Sequence, residues 1–301
     1  MTLSVSDKST IVRARRRSVR LVRPAFGTLE RVAPAVGARW AERLWFTVPR
    51  DGRARSPEDG ASFEIQLHGR VVRGWTWGRG PVVYLVHGWG GYAGQLAPFV
   101  QPLVAAGFTV VAHDAPSHGA SDGGRHGPRA GDIIESAQSL DAVAARYGPA
   151  HAVVGHSMGA MASTLAIRHG WLGARRLVMV APMVKIDDAL AVFAARLGFG
   201  ARIGRRLARR VERRVGVSLA EFDLVTMTSD PARPRLLAIH DRGDRETSFR
   251  STDALVAGWP DAELVATKGL GHRRILRDPA VVRTVVDTLV TDTADVLSRP
   301  A

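Results

Sequence analysis

From residue 81 onward, short apolar runs alternate with longer stretches of helical spacing. Pro81–Val86, Phe108–Ala112, His151–Val154 and Arg176–Ala181 read as buried strands. Between them Ala93–Ala106, Ile133–Tyr147 and Met158–His169 read as helices. The alternation pauses over roughly 183–233, which reads mainly as helices. It resumes with a strand at Arg235–Ile239, a helix near 250–258, a strand at Glu263–Ala266 and a last helix over 279–290. Upstream, Ser62–Leu67 and Val71–Trp77 alternate apolar and polar residues around His68-Gly69-Arg70, a hairpin pattern. Continuous apolar strands suit a parallel sheet covered on both faces. The strand–helix alternation therefore predicts a three-layer α/β fold, with a helical insertion between two sheet strands.

Residues 1–50 read as a basic leader, in which Ile11, Val12, Val19, Leu21 and Val22 interleave with arginines. Residues 1–22 are expected to be loosely ordered. The spacing of 37–46 predicts a helix that packs Trp40, Leu44 and Trp45 on the main domain; the alternative is a helix lying on an anionic membrane surface. Residues 51–61 form a polar linker with turn chemistry. The main domain is then 51–301, with the helical insertion inside it. No internal repeat or long low-complexity segment is present.

Composition narrows the classes. A chain of 301 residues can bury one large core, or a core plus a small subdomain. There is no cysteine, so disulfides, thiolate metal sites and cysteine nucleophiles are excluded. The formal charge is +14 and the pI near 11.4. Such a balance attracts anionic membranes, nucleic acid or acidic substrates. The basic residues are nearly all arginine, with lysine only at 8, 185 and 268, and Ala, Gly and Val are abundant. This usage resembles that of a GC-rich bacterial genome. No RNA-recognition, zinc-finger or helix-turn-helix pattern accompanies the charge, so nucleic acid is not an expected partner. No apolar run approaches the roughly 20 residues of a membrane span, and the first residues lack the apolar stretch of a signal peptide. A cytoplasmic protein is the expectation.

The chemistry centres on Gly155-His156-Ser157-Met158-Gly159, which matches G-x-S-x-G between a strand and a helix. Such a turn strains the serine and lifts its hydroxyl above the sheet, while Gly155 and Gly159 let strand and helix approach closely. A serine hydroxyl needs a base. His272, in the Gly-rich loop after the last strand, is the candidate. The base needs an orienting acid. Asp244, after the preceding strand, is the first choice, with Asp241 and then Asp187 or Asp188 as competitors. Ser157, Asp244, His272 is the chain order expected of a nucleophile elbow on this fold. The loop His87-Gly88-Trp89-Gly90-Gly91 follows the first parallel strand and offers an oxyanion donor. The backbone N–H groups of Trp89 and Met158 are the best placed, with Gly88 giving the loop flexibility and His87 bracing it. As a phosphate loop it lacks both the Walker A lysine and G-x-G-x-x-G spacing. His118 is expected to brace the loop after the second parallel strand, while His156 and His240 have no evident chemistry. No carboxylate–histidine cluster has metal spacing, so neither metal nor other cofactor is expected.

The residues at 87–91, D-A-P-S-H-G-A-S at 114–121, G-H-S-M-G at 155–159, G-D-R-E-T at 243–247 and G-H at 271–272 together resemble the α/β-hydrolase fold family, over about 62–292. The second motif resembles the family's D-x-x-G-H-G-x-S loop, with Ser117 where glycine is usual. The elbow resembles the monoacylglycerol-lipase-like and serine-aminopeptidase-like members of its serine branch. The resemblance implies a mostly parallel sheet flanked by helices, with 183–234 in the position of a small helical cap over the site. It also implies acyl transfer to water, on a small-molecule carboxylic ester or thioester. Aminopeptidase, C–C hydrolase and perhydrolase chemistry on the same triad are alternatives, as is a non-catalytic binding or membrane-associated protein of the same fold. In the insertion, Leu190, Val192, Phe193, Leu197 and Phe199 either line a pocket or form its own core. Arg202, Arg206, Arg209 and Arg213 share one helical face, which a peripheral contact with an anionic membrane would use. The sequence sets neither the acyl group nor the oligomeric state.

Overall fold

The computed structural model describes residues 22–49, 59–231 and 233–297. The expected loose order of 1–22, apart from Val22, and most of the 51–61 linker lie outside these residues. The helices are α1 (residues 22–32), α2 (Pro34–Phe46), α3 (Ala97–Ala105), α4 (Ile133–Tyr147), α5 (Met158–Arg168), α6 (Ile186–Leu197), α7 (Ala201–Val215), α8 (Phe249–Gly258), α9 (Gly271–Arg274) and α10 (Pro279–Leu297). The strands are β1 (Ala61–Leu67), β2 (Arg70–Trp77), β3 (Val82–Val86), β4 (Thr109–His113), β5 (Ala150–His156), β6 (Ala174–Val180), β7 (Arg235–Asp241) and β8 (Ala262–Thr267). The chain divides into two compact units. Among the described residues, one contains residues 22–46 together with Ile186–Ala220, and the other contains those of Thr47–Lys185 and of the chain from Glu221 to Leu297.

The larger unit is built on an eight-stranded sheet in the order β1-β2-β4-β3-β5-β6-β7-β8. β1 pairs with β2, and β2 with β4, antiparallel; the remaining neighbours are parallel. This is the mostly parallel α/β sheet that the apolar runs predict. Both faces are covered, which is why the central strands carry no polar alternation. On one face Val83, Val110, Val154, Val178 and Leu237 meet Phe99 and Leu103 of α3 and Leu289 of α10. The alternate residues Tyr84, Val153 and Leu177 are equally buried and face the side on which α5 packs, with α4 against it. Each such aliphatic side chain contributes about 1.5–3 kcal/mol on full burial. The β1–β2 hairpin turns on His68 (φ 51°) and Gly69 (φ 74°), with Leu67 paired to Arg70. Positive φ at both central residues is the primed turn whose twist matches the strands.

One element differs from its expectation in kind. Ala93–Ala106 reads as a single helix, yet Ala93–Leu96 is a 3₁₀ turn and α3 begins only at Ala97. Pro98 occupies the first turn of α3, where its missing N–H costs nothing, so the proline fixes the start.

The smaller unit is helical. α7 buries Ile203, Leu207, Val211 and Val215, a row of i, i+4 positions. Gly37 of α2 lies where any Cβ would collide with the Ile203 side chain, so glycine sets how closely α2 and α7 approach. The N-terminus of α7 has no side-chain cap of its own, because residue 200 is glycine. Glu30 of α1 supplies one: its carboxylate accepts from Arg202 N at 2.8 Å and from Ile203 N at 3.0 Å. The spacing of 37–46 predicts that Trp40 and Trp45 pack on the main domain, which as read from the sequence includes the insertion. Their ring partners here are Phe26, stacked on Trp40 at 4.6 Å, and Phe193, edge-on to Trp45 at 5.2 Å. Phe199 in turn packs on Phe26 and Phe193. Phe193 and Phe199 thus serve this unit's own core. Among the described residues no helix is long and apolar enough to cross a membrane.

Candidate active site

β5 ends at His156 and α5 begins at Met158, leaving Ser157 alone at the bend with φ 56° and ψ −119°. A side chain in that backbone region is strained by the order of 1–3 kcal/mol. The neighbouring glycines explain how the bend is packed. A Cβ at Gly155 would lie 2.6 Å from Ala160 Cα, and one at Gly159 would collide with the Val86 carbonyl. Strand and helix therefore meet at a distance only glycine permits. Gly88 does the same for the loop after β3, since a Cβ there would stand 2.9 Å from Ser157 Cβ.

His272 comes from α9, just after β8. Its Nε2 lies 3.0 Å from Ser157 Oγ and its Nδ1 2.8 Å from Asp244 Oδ2. A carboxylate only accepts, so Nδ1 carries the proton and Nε2 is left to accept from the serine hydroxyl. The Asp244 side chain is fully buried. Burial alone would raise its pKa. Hydrogen bonds from His240 and His272 outweigh burial and hold it well below the usual carboxylate range. Its second oxygen, Oδ1, accepts from Glu246 N at 2.7 Å and Thr247 N at 3.2 Å.

Asp241, the competing acid, has a different task. Its carboxylate accepts from Gly243 N, Thr267 Oγ1 and Leu270 N at 2.8–2.9 Å. It ties the loop that carries Asp244 to the loop that carries His272. Asp187 and Asp188 stand in the first turn of α6, in the smaller unit.

Three groups around the site have roles that no motif announces. His240 Nε2 lies 3.3 Å from Asp244 Oδ2, the same oxygen that His272 meets. Thr247 Oγ1 bridges Asp244 Oδ2 at 3.1 Å and the Ala181 carbonyl at 3.2 Å. His156 Nε2 donates to the His272 carbonyl at 2.9 Å and so holds the backbone of the base. Burial pushes the His156 imidazole down to about 3, and His272 beside it adds to the shift. His156 is a neutral strut.

The loop opposite the serine is tied by side-chain hydrogen bonds. His87 Nε2 accepts from Ala115 N at 3.0 Å, which leaves Nδ1–H to donate to the Gly88 carbonyl at 2.8 Å. Asp114 accepts from Ala93 N and Ala120 N, both at 2.7 Å. His118 bonds the Pro116 carbonyl and lies edge-on to the Trp89 ring. The residue at 117 has φ 66°, a conformation that suits the glycine usual there, and Ser117 uses its side chain to compensate. Its Oγ contacts the carbonyls of Gly127 and Ala130 and the N–H of Gly124 at 2.8–3.1 Å. Among the described residues no backbone acceptor is assigned to the N–H of Trp89 or of Met158. Nor does any group of three or more His, Cys, Asp or Glu side chains there form a metal site.

A serine on a strained strand–helix bend, in line with a histidine and a buried carboxylate at the ends of parallel strands, defines an α/β hydrolase. Residues 79–280 match the family model Hydrolase_4, described as serine aminopeptidase, S33, and the chain belongs to that family. Solved structures of the same fold include an esterase of Pyrococcus furiosus, with TM-score 0.61 at 19% identity over 83% of this chain and 98% of that one. An esterase from Exiguobacterium antarcticum aligns with TM-score 0.58 at 16% identity, over 75% and 98%. The thioesterase domain of the curacin biosynthetic pathway aligns with TM-score 0.57 at 15% identity, over 78% and 100%. No curated protein matches significantly.

Proposed function

We propose that this hydrolase cleaves carboxylic esters or thioesters through an acyl-enzyme on Ser157, with His272 as general base and acid and Asp244 as its orienting partner. Ser157 Oγ attacks the substrate carbonyl carbon and its proton passes to His272 Nε2. The N–H groups of Trp89 and Met158 receive the oxyanion. His272 then protonates the departing alkoxide or thiolate. Water attacks the acyl-serine, gives its proton to His272, and Ser157 departs with that proton as acid product is released.

The observation that carries this reading is the unbroken line Ser157 Oγ–His272 Nε2 at 3.0 Å and His272 Nδ1–Asp244 Oδ2 at 2.8 Å. The test is labelling with a fluorophosphonate, in parallel on wild type and Ser157→Ala. A panel of p-nitrophenyl esters, acyl thioesters and alanine p-nitroanilide follows. Labelling lost in the variant, with turnover of esters or thioesters, is the expected result. No labelling of folded wild type removes the catalytic reading. Turnover of the anilide alone favours the aminopeptidase reading, which the description of the family supports.

A further inference from the structure

The smaller unit carries a concentration of positive charge that the ester chemistry does not use. α7 has arginine at 202, 205, 206, 209, 210, 213 and 214, and one acid, Glu212. Burial of Ile203, Leu207, Val211 and Val215 turns many of these arginines outward. Several are spaced i, i+4, where like charges oppose helix formation. The acids at hand do little to relieve them. Glu212 accepts from Leu219 N at 3.1 Å, closing the turn after the helix. Glu30 is occupied by the α7 backbone. Glu42 of α2 pairs with Arg210 and, at 3.8 Å, with Arg214.

The remaining charge is gathered in a concavity. Between α2 and α7 lies a cleft of about 250 Å³ lined by Arg39, Arg206, Arg209, Arg210 and Arg213. Ala35 and Ala38 leave the α2 side of it open. Among the described residues no ion pair is assigned to Arg39, Arg206, Arg209 or Arg213. Guanidinium groups present planar forks that match phosphate oxygens, and several converging on one small space reward a ligand carrying several charges.

We propose that this cleft binds a compact, multiply charged phosphate group. The source is either a soluble polyphosphorylated ligand or the phosphomonoester headgroup of a lipid. The ligand neutralises the cluster, so its binding stabilises the folded protein and weakens with salt.

The experiment is titration calorimetry and thermal unfolding of the full chain with inorganic tripolyphosphate. It is run on wild type, Arg209→Gln/Arg213→Gln, Ala35→Glu and Arg277→Gln/Arg283→Gln. Ala35→Glu places a carboxylate in the cleft without removing an arginine, at a first-turn position where an acid favours the helix. Arg277 and Arg283 are exposed outside the cleft, so their loss controls for net charge. Wild type is expected to bind at one site. The two cleft variants weaken binding about tenfold or more and lose the thermal shift, while the control stays within about twofold. Co-sedimentation with phosphatidylcholine vesicles, with and without phosphatidic acid, distinguishes the sources. Capture by phosphatidic acid that Ala35→Glu abolishes assigns the headgroup; tripolyphosphate binding without capture assigns a soluble ligand. No tripolyphosphate binding by wild type overturns the proposal, and so does equal weakening in the control and cleft variants.

Discussion

The Asp244 carboxylate accepts the Nδ1 proton of His272 at 2.8 Å, and its side chain is fully shielded from solvent. That bond selects the tautomer in which Nε2 faces Ser157. Asp244→Asn presents an amide that can donate to Nδ1 and reverse the tautomer. We expect kcat to fall by about 10³–10⁴-fold with KM little changed. Asp241→Asn, which disturbs the tie between two loops but not the imidazole, should cost stability and leave more activity. Steady-state kinetics on both variants checks this, and a larger kcat loss at Asp241 would reverse the assignment of the acid.

The strain at Ser157 gives a second expectation. With φ at 56°, the residue sits where glycine rests without penalty. Ser157→Gly and Ser157→Ala both lack the hydroxyl, but only glycine relieves the backbone. Glycine's greater freedom in the unfolded chain offsets part of the gain. Ser157→Gly should therefore be more stable than Ser157→Ala by about 1 kcal/mol. Denaturant unfolding of the two variants measures it; equal midpoints would mean that the bend is not strained.

The sequence makes the sheet legible because its strands are covered on both faces and so read as continuous apolar runs. α4 is legible to the residue. Asp132 caps it, accepting from Glu135 N, and Gly148 ends it with φ 90°. Ser157, His272 and Asp244 each sit in a motif beside a strand end, and the fold gathers strand ends. His156 and Thr247 lie inside those motifs and His240 just before one, but nothing in the motifs states their roles. His240 precedes Asp244 by four residues, and only the reversal after β7 brings its ring back onto the carboxylate. His156 meets the His272 backbone across 116 residues. Phe26 and Phe193, the ring partners of Trp40 and Trp45, are likewise invisible in the sequence, because no local pattern records which helices pack together. Ser117 shows the converse, a visible departure from glycine whose hydrogen bonds only the structure supplies.

Buried neutral histidines set a pH dependence of stability. Burial holds His113, His118 and His156 each near 3. In the unfolded chain an imidazole takes its proton at about 6.5. Between these values the unfolded state binds more protons, so stability is present at neutral pH and falls as pH falls from about 6.5 toward 3. Asp244 acts in the same direction at lower pH. Its folded pKa is depressed, so its contribution is lost as pH drops below the unfolded value of about 4. Urea midpoints at pH 7.5, 6 and 5 should decline, with an uptake of about three protons on unfolding near pH 5 from these three rings. A flat profile would mean that these rings are solvated or already charged in the folded protein.

The last helix is fastened to the sheet by charge as well as by apolar packing. Arg176 of β6 meets Asp292 of α10 in a fork, Nε to Oδ2 and Nη2 to Oδ1, both at 2.6 Å. Both side chains are buried, and Arg235 adds a third bond at 2.7 Å from a half-exposed position. Desolvating such a pair costs about as much as its attraction returns, so the pair adds little net stability, but removing one partner strands the other. Asp292→Ala leaves Arg176 charged beneath α10 and should cost about 3–5 kcal/mol. Arg235 can turn to water. Arg176→Met/Asp292→Leu, which removes both charges and keeps volume, should recover most of that loss. Equilibrium denaturation of the two variants separates the readings: a double variant as unstable as Asp292→Ala would mean that the ion pair itself, rather than the relief of an unpaired charge, holds α10 in place.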